Sequence, residues 1–410
     1  MTENTSATES ASHPLEIAEV MQWVDTGKRF LLLDVRNADE SERWKLEGLR
    51  PVETLSIPYF EFIEAQDETI AKVPRDREIA VLCAKGSASE YVADLLRKAG
   101  IPARNIAGGM IAYGAFLDPV KVPLAPAEEG RFEIWQINRR GKGCLSYLVR
   151  AGDEAVLVDP TRDADAFRAF AAKLGVRITR ILDTHVHADH ISSGPKLAKE
   201  LGAAYFVTAG GEFPLKQQVT PLSDGEEVRL GGANGVSITA RVVATPGHTP
   251  GSTSYLIAGK YLLSGDTLFV SGVGRPDLGG QVERWGKQLF RTLRERIPTF
   301  SDDTVVLPGH FALTSEMGAN KVISARMGDL RRNAPELAID REDEFLETMK
   351  AGVREAPAVY TDIIHVNLGL KSVDEEKATE WELGKNECAA SAHKAKLARR
   401  AAEAAAAKAA

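Results

Sequence analysis

Three imidazoles and a carboxylate fall within six residues at His185-Val186-His187-Ala188-Asp189-His190, directly after Thr184 and an apolar, strand-like stretch at 178–183. The chain has eight histidines, and three of them sit here. A polar loop would gather them only by chance. Neutral imidazole is the commonest protein ligand for a transition metal, and a carboxylate adds a hard oxygen donor. The run therefore predicts a metal site on a loop at the end of a strand, which any fold of this chain has to accommodate.

At 410 residues the chain exceeds one ordinary domain. It is 44% hydrophobic and 27% charged with a net charge of -7, the composition of a soluble protein. An acidic balance argues against nucleic acid as a partner, because phosphate neutralisation needs a basic face. No apolar run approaches the ~20 residues that span a bilayer, so no membrane role is expected. Residues 1–14 are rich in Thr, Ser and Glu and lack the apolar core of a signal peptide; they read as a disordered tail. Three cysteines (Cys83, Cys144 and Cys388) cannot build a disulfide framework, which fits a reducing cytoplasm. Cys144 and Cys388 carry no further signal.

Strand and helix signals alternate over 15–117. Residues 30–33 and 79–82 are short apolar runs of the buried parallel-strand type, and 89–98 reads as an amphipathic helix stopped by Gly100. This predicts a small α/β domain. Residues 118–130 hold three prolines in thirteen positions and read as a stiff linker. A second domain is expected over 131–383. Strand signals lie at 132–138, 144–149, 155–158, 236–243, 254–257 and 261–263, a helix at 195–201, and a charged helical pattern beyond His310. Residues 384–410 form an Ala/Lys-rich tail with helix propensity and almost nothing to bury.

The metal run has company. His248 lies in Thr245-Pro246-Gly247-His248-Thr249-Pro250-Gly251, Asp266 in Leu263-Ser264-Gly265-Asp266, and His310 in Val306-Leu307-Pro308-Gly309-His310. Each follows a strand signal, where α/β proteins gather their chemistry. The series His-x-His-x-Asp-His, then His, Asp and His, resembles the metallo-β-lactamase superfamily over about residues 131–325. The resemblance implies an αββα sandwich with metal at one edge. It gives His185, His187 and His248 to a first metal position, Asp189, His190 and His310 to a second, and puts Asp266 between them.

Within that superfamily, Thr184 to Ile191, Gly143-Cys144-Leu145-Ser146-Tyr147-Leu148, Gly265-Asp266-Thr267-Leu268-Phe269 and Gly272-Val273-Gly274-Arg275-Pro276-Asp277-Leu278 look like the persulfide dioxygenases. So does the length of chain after His310. That branch implies one Fe(II) held by His185, His248 and Asp266, with His187, Asp189, His190 and His310 lining the pocket. Two histidines and a carboxylate leave iron positions open for a persulfide and O2. Arg275 is the candidate for holding a substrate carboxylate or positioning the loop, with an ion pair to Asp277 as its structural alternative. The aromatic hydroxyl of the glutathione-type members is replaced here by Ala312, which argues against glutathione as the carrier thiol.

Cys83 follows a buried-type strand and precedes Ala84-Lys85-Gly86-Ser87-Ala88-Ser89 and a helix. Loop N–H groups and a helix N-terminus stabilise a thiolate or an anion, and Lys85 adds charge. With Leu32-Leu33-Asp34-Val35-Arg36, Glu40, Ser56-Ile57-Pro58, Gly108-Gly109-Met110 and Tyr113, residues 15–117 resemble a rhodanese. The resemblance implies that Cys83 carries a persulfide and takes sulfane sulfur from a persulfide or thiosulfate. Ala88 stands where rhodanese loops commonly have an arginine, so anion binding should be weakened.

Three readings follow. The first is a persulfide dioxygenase coupled to rhodanese-type sulfur transfer. The second is a dinuclear zinc thioester hydrolase of glyoxalase II type. The third is a non-enzymatic persulfide-sensing or docking protein. The paired motifs favour the first, and oligomeric state stays open.

Overall fold

In the computed structural model, residues 13–231, 237–353 and 355–386 are described. Cys388, most of both tails and Val236 lie outside them. The chain divides into two compact units.

The first unit comprises 13–116 with 139–142 and 383–385. Its elements are α1 (Ile17–Thr26), β1 (Phe30–Asp34), α2 (Ala38–Arg43), β2 (Thr54–Ser56), α3 (Glu61–Glu64), α4 (Gln66–Ala71), β3 (Glu78–Leu82), α5 (Ser87–Lys98), β4 (Ala103–Asn105) and α6 (Gly109–Ala115). The four strands pair in parallel in the order β2-β1-β3-β4. β1 is buried along its whole length, because helices cover both faces of a parallel sheet. One face packs Leu31, Leu33 and Val81 against Val92 and Leu96 of α5. The other packs Leu32, Ala80 and Leu82 against Val20 and Val24 of α1 and Met110 of α6.

The second unit comprises 117–138 and 143–382 with Asn386. It begins with β5 (Leu117–Lys121), β6 (Glu133–Arg139), β7 (Cys144–Ala151), β8 (Glu154–Val158), α7 (Ala164–Leu174), β9 (Arg177–Leu182), α8 (Gly194–Leu201) and β10 (Ala204–Phe206). β11 (Glu227–Gly231), β12 (Ser237–Ala244), β13 (Thr253–Ile257), β14 (Tyr261–Gly265), β15 (Leu268–Phe269), β16 (Gly272–Val273) and α9 (Val282–Arg291) follow. The unit ends with β17 (Val305–Pro308), β18 (Ala325–Arg326), α10 (Met327–Asn333), α11 (Pro335–Ala338), α12 (Glu342–Ala351), α13 (Val359–Asn367) and α14 (Glu375–Trp381).

Two six-stranded sheets result, ordered β10-β9-β8-β7-β6-β5 and β11-β12-β13-β14-β17-β18. Phe167 of α7 and Leu197 of α8 pack on Leu148, Leu157 and Ile181 of the first sheet. Leu289 of α9 and Phe345 of α12 pack on Val243, Leu262 and Val306 of the second. This is the αββα sandwich, followed by C-terminal helices. Buried tyrosines strap the sheets together: Tyr147 of β7 donates to Pro308 O at 2.6 Å, and Tyr255 of β13 to Asp183 O at 3.2 Å.

One expectation needs correction. Residues 118–121, expected within a linker, belong to β5 at the edge of the first sheet. Val120 and Val122 are buried there. Pro119 is tolerated because an edge strand leaves one side of its backbone unpaired. Prolines signal stiff, extended chain, and neither composition nor spacing shows whether a sheet edge will pair with it.

Candidate functional site

Every donor singled out in the second unit lies just past a strand, at one edge of the sandwich. His185, His187, Asp189 and His190 follow β9, His248 follows β12, Asp266 follows β14 and His310 follows β17. All are buried at 1% exposure or less. Gly274 must be a glycine, since a Cβ there would lie 1.9 Å from the Asp266 carbonyl oxygen.

His185, His248 and Asp266 bring one donor atom each within 4.8 Å of one another. Asp266 Oδ2 is 3.9 Å from His185 Nε2 and 3.5 Å from His248 Nε2. His185 Nε2 and Asp266 Oδ2 are buried without a hydrogen-bond partner. Buried polar atoms are nearly always satisfied, so this orphaned pair marks a place where a cation fits.

The other atoms of these side chains are held. His248 Nδ1 donates to Arg275 O at 2.9 Å, which leaves Nε2 as the lone-pair nitrogen. Thr184 Oγ1 donates to Asp159 Oδ2 at 2.9 Å and stands 2.9 Å from His185 Nδ1, which likewise orients the His185 ring. Asp266 Oδ1 accepts from His310 Nδ1 at 2.6 Å. Such partners fix tautomer and ring orientation at metal sites.

The electrostatics agree with this division. Burial, with His187 alongside, pushes His185 well below the usual imidazole range, and burial also lowers His248. Burial would raise Asp266, but the charge and hydrogen bond of His310 hold it well below the usual carboxylate range. Two neutral imidazoles and an ionised carboxylate are the forms that bind metal.

The remaining donors of the run point elsewhere. His187 Nε2 meets Asp159 Oδ1 at 3.1 Å, in a group with Asp183. Burial raises the Asp183 carboxyl, which accepts from Tyr205 Oη at 2.7 Å. Asp189 and His190 form a third group with His310 and Cys144. Burial would raise Asp189, but His310 and His190 hold it well below its usual range. Burial would lower His190, but the charges of Asp189 and Cys144 push it up to about 10.

The Arg275 guanidinium pairs with Asp277 through Nε–Oδ1 at 2.7 Å and Nη2–Oδ2 at 2.5 Å. Its loop acts on the site through the Arg275 carbonyl. Four participants carried no readable signal as site residues. Asp159 comes directly after β8, and Cys144 is a free, buried cysteine at the start of β7. Asn367 of α13 donates to His187 O and His190 O at 2.9 Å each and accepts from Ser192 N at 2.9 Å. Glu382 accepts from Ile191 N at 2.8 Å. The C-terminal helices thus hold the backbone of the histidine loop.

In the first unit, Cys83 lies between β3 and α5. Its Sγ accepts from Gly86 N at 3.0 Å, and the Ser89 hydroxyl is 3.0 Å from Sγ and 2.6 Å from Asn105 Oδ1. Gly86 has φ +101°, and a Cβ there would meet Gly108 N at 3.0 Å. Lys85 is exposed, and Ala88 is partly buried against the core. Asp34 and Arg36 form a buried pair that also ties Arg36 to Trp44 O.

Family models match at two places: the metallo-beta-lactamase superfamily at residues 139–310 and the rhodanese-like domain at 16–115. The chain belongs to the metallo-beta-lactamase superfamily and carries an N-terminal rhodanese-like domain. Among the superfamily's members, a hydroxyacylglutathione hydrolase of Anaeromyxobacter dehalogenans is 39% identical over 43% of this chain and 65% of its own length. Human persulfide dioxygenase ETHE1, mitochondrial, is 30% identical over 40% of this chain and 63% of its own. The match thus spans less than two thirds of either relative. The crystal structure of ETHE1 from Myxococcus xanthus superposes with a TM-score of 0.50 at 28% identity, covering 58% of this chain and 98% of that one. The superfamily fold and the clustered donors imply metal use. No helix among the described residues is long and apolar enough to cross a membrane.

Proposed function

We propose that this protein is a persulfide dioxygenase coupled to rhodanese-type sulfur transfer, with one Fe(II) held by His185, His248 and Asp266. The observation that carries the reading is the division of labour at Asp266. Its Oδ2 faces the two open imidazoles, while its Oδ1 is engaged by His310 and His187 is turned to Asp159. That is a two-histidine, one-carboxylate set, the pattern of non-haem iron oxygenases. Similarity to a persulfide dioxygenase and the rhodanese-like domain, which handles the same sulfane sulfur, support it.

When bound, Fe(II) supplies open positions at which a persulfide sulfur and O2 meet. The residues around it do the rest. Thr184 and the Arg275 carbonyl keep His185 and His248 in the ligating tautomer, and His310 keeps Asp266 ionised and oriented. Burial of the whole set excludes bulk water. The balanced reaction is RSSH + O2 + H2O → RSH + sulfite + 2 H+. At Cys83, thiol attack on the outer sulfur of a donor persulfide forms Cys83–S–SH and releases RSH. Transfer of that sulfur to sulfite would give thiosulfate.

The test is an oxygen-electrode assay with several low-molecular-weight persulfides on protein of measured metal content. About one iron per chain and persulfide-dependent O2 uptake are expected. Two zinc ions, thioester hydrolysis and no O2 uptake would instead establish the dinuclear hydrolase reading, which the Anaeromyxobacter relative keeps in view.

A further inference from the structure

One buried hydroxyl stands against the Cys83 sulfur, and it has more acceptors than protons. Cys83 directly follows β3, Ser89 is the third residue of α5, and Asn105 ends β4, where it pairs with Val81 of β3. The three side chains meet at one end of the parallel sheet. Ser89 Oγ lies 2.6 Å from Asn105 Oδ1, 3.0 Å from Cys83 Sγ and 3.1 Å from Gly86 O. Ser89 is fully buried, and Cys83 and Asn105 are nearly so. A hydroxyl has one proton to give and two lone pairs. The shortest contact, to the amide oxygen of Asn105, takes the proton while the sulfur is a neutral thiol. The Ser89 lone pairs then receive the Cys83 S–H, and Gly86 N donates to the sulfur at 3.0 Å.

We propose that Ser89 is a catalytic residue of sulfur transfer at Cys83: its hydroxyl accepts from the resting thiol and turns to donate to the sulfur once that is ionised. Asn105 is the residue that positions it. The inference rests on the sulfur-transfer reading of Cys83 and adds the group that serves the sulfur in both forms. In the step, the Cys83 S–H proton leaves to solvent and the thiolate attacks the outer sulfur of RS–SH. A new S–S bond to Cys83 forms as the RS–S bond breaks, and the departing RS− takes a proton from solvent to become RSH. Ser89 keeps its own proton throughout. Its O–H swings from Asn105 Oδ1 to Cys83 Sγ, so the anion gains a charge-assisted bond beside the one from Gly86 N. Losing the Ser89–Asn105 bond opposes the swing, because a buried amide oxygen is left without that donor. Asn105 thus weights the pair toward the resting thiol. A hydroxyl serving only to bond the Gly86 carbonyl of its own helix turn would leave the sulfur indifferent to Asn105.

The test loads full-length protein anaerobically with cysteine persulfide and follows the Cys83 peptide by mass spectrometry for one added sulfur, which Cys144 and Cys388 cannot mimic. Ser89→Ala is expected to lower the maximal loading rate roughly 10- to 100-fold, the worth of one hydrogen bond to a charged group, with the half-saturating concentration little changed. Ser89→Thr should restore most of the rate. Asn105→Ala frees the Ser89 proton for the sulfur and should load at least as fast as the wild type. A slower Asn105→Ala, or an undiminished rate in Ser89→Ala, would overturn the proposal. The infrared S–H stretch of Cys83, isolated as the difference between wild type and Cys83→Ser, reads the resting bond without turnover and without an Asn105 variant that folds. A hydrogen-bonded band that moves to higher frequency in Ser89→Ala is expected, and a free-thiol band in the wild type refutes the contact. A wild type that takes up no sulfur at Cys83 would refute the transfer reading itself, and the infrared band would still decide the Ser89 contact.

Discussion

His310 Nδ1 lies 2.6 Å from Asp266 Oδ1, and this contact separates the two oxygens of one carboxylate. Oδ1 is spent on an imidazole, and Oδ2 is left facing His185 and His248. His187, next to His185 in the histidine run, takes no part in that convergence.

Metal content should therefore respond unequally to substitution within the run. His185→Gln is expected to lose the first metal almost completely, as are His248→Gln and Asp266→Asn. His187→Gln removes a hydrogen bond to Asp159 and should keep most of it, with affinity weakened roughly tenfold. Elemental analysis after gel filtration checks this. Equal loss from His185→Gln and His187→Gln would count against the three-ligand site.

Asn367 holds three backbone groups of the histidine loop from a helix about 180 residues further along the chain. Asn367→Ala strips buried partners from those groups and should cost roughly 1–3 kcal/mol of stability. Because the loop carries His185, it should also raise the metal dissociation constant roughly 10- to 100-fold. Denaturant unfolding and competition with a chelator read the two effects separately. An unchanged dissociation constant in a destabilised protein would confine Asn367 to folding.

At the cysteine loop, Ala88 places a methyl group where anion recognition would use a guanidinium. Ala88→Arg is expected to raise kcat/KM with thiosulfate roughly tenfold or more, the worth of about 1.5–3 kcal/mol for a charge-assisted hydrogen bond. Turnover of a neutral organic persulfide should change little. Cys83→Ser should abolish sulfur transfer and leave persulfide-dependent O2 uptake intact.

The depressed imidazoles predict an acid dependence in the metal-free protein. Unfolded histidines take up protons as pH falls through about 6.5, whereas folded His185 and His248 resist because burial disfavours their charge. Below 6.5 the unfolded state binds more protons, so stability falls as pH falls. The Tm of metal-free protein should drop between pH 7 and pH 5, and the drop should shrink in His248→Gln. An identical drop in both would remove His248 as a cause.

Much of the architecture was legible because burial leaves a periodic trace. Apolar runs at 30–33 and 79–82 became β1 and β3, and the amphipathic stretch at 89–98 lies within α5. The clustered histidines and acids were legible as candidate donors because their type is rare and each follows a strand, and the structure gathers them into buried groups. Residues 118–121 were misread because pairing at a sheet edge depends on what lies alongside, and proline obscures it.

Asn367, Glu382 and Cys144 could not be read as site residues at all. A helix presents an Asn or a Glu in the same way whether it meets water or a loop backbone far off in sequence. By itself the sequence determined which chemistry the chain can hold, since the residue types and their places after strands restrict the donors to imidazole, carboxylate and thiol. Only the tertiary structure decided how they are grouped. Seven donors and a cysteine spread over 167 positions, from Cys144 to His310, separate into three clusters by contacts a few ångströms long. Sequence spacing does not encode such distances; the packing of two sheets and the helices that follow them does.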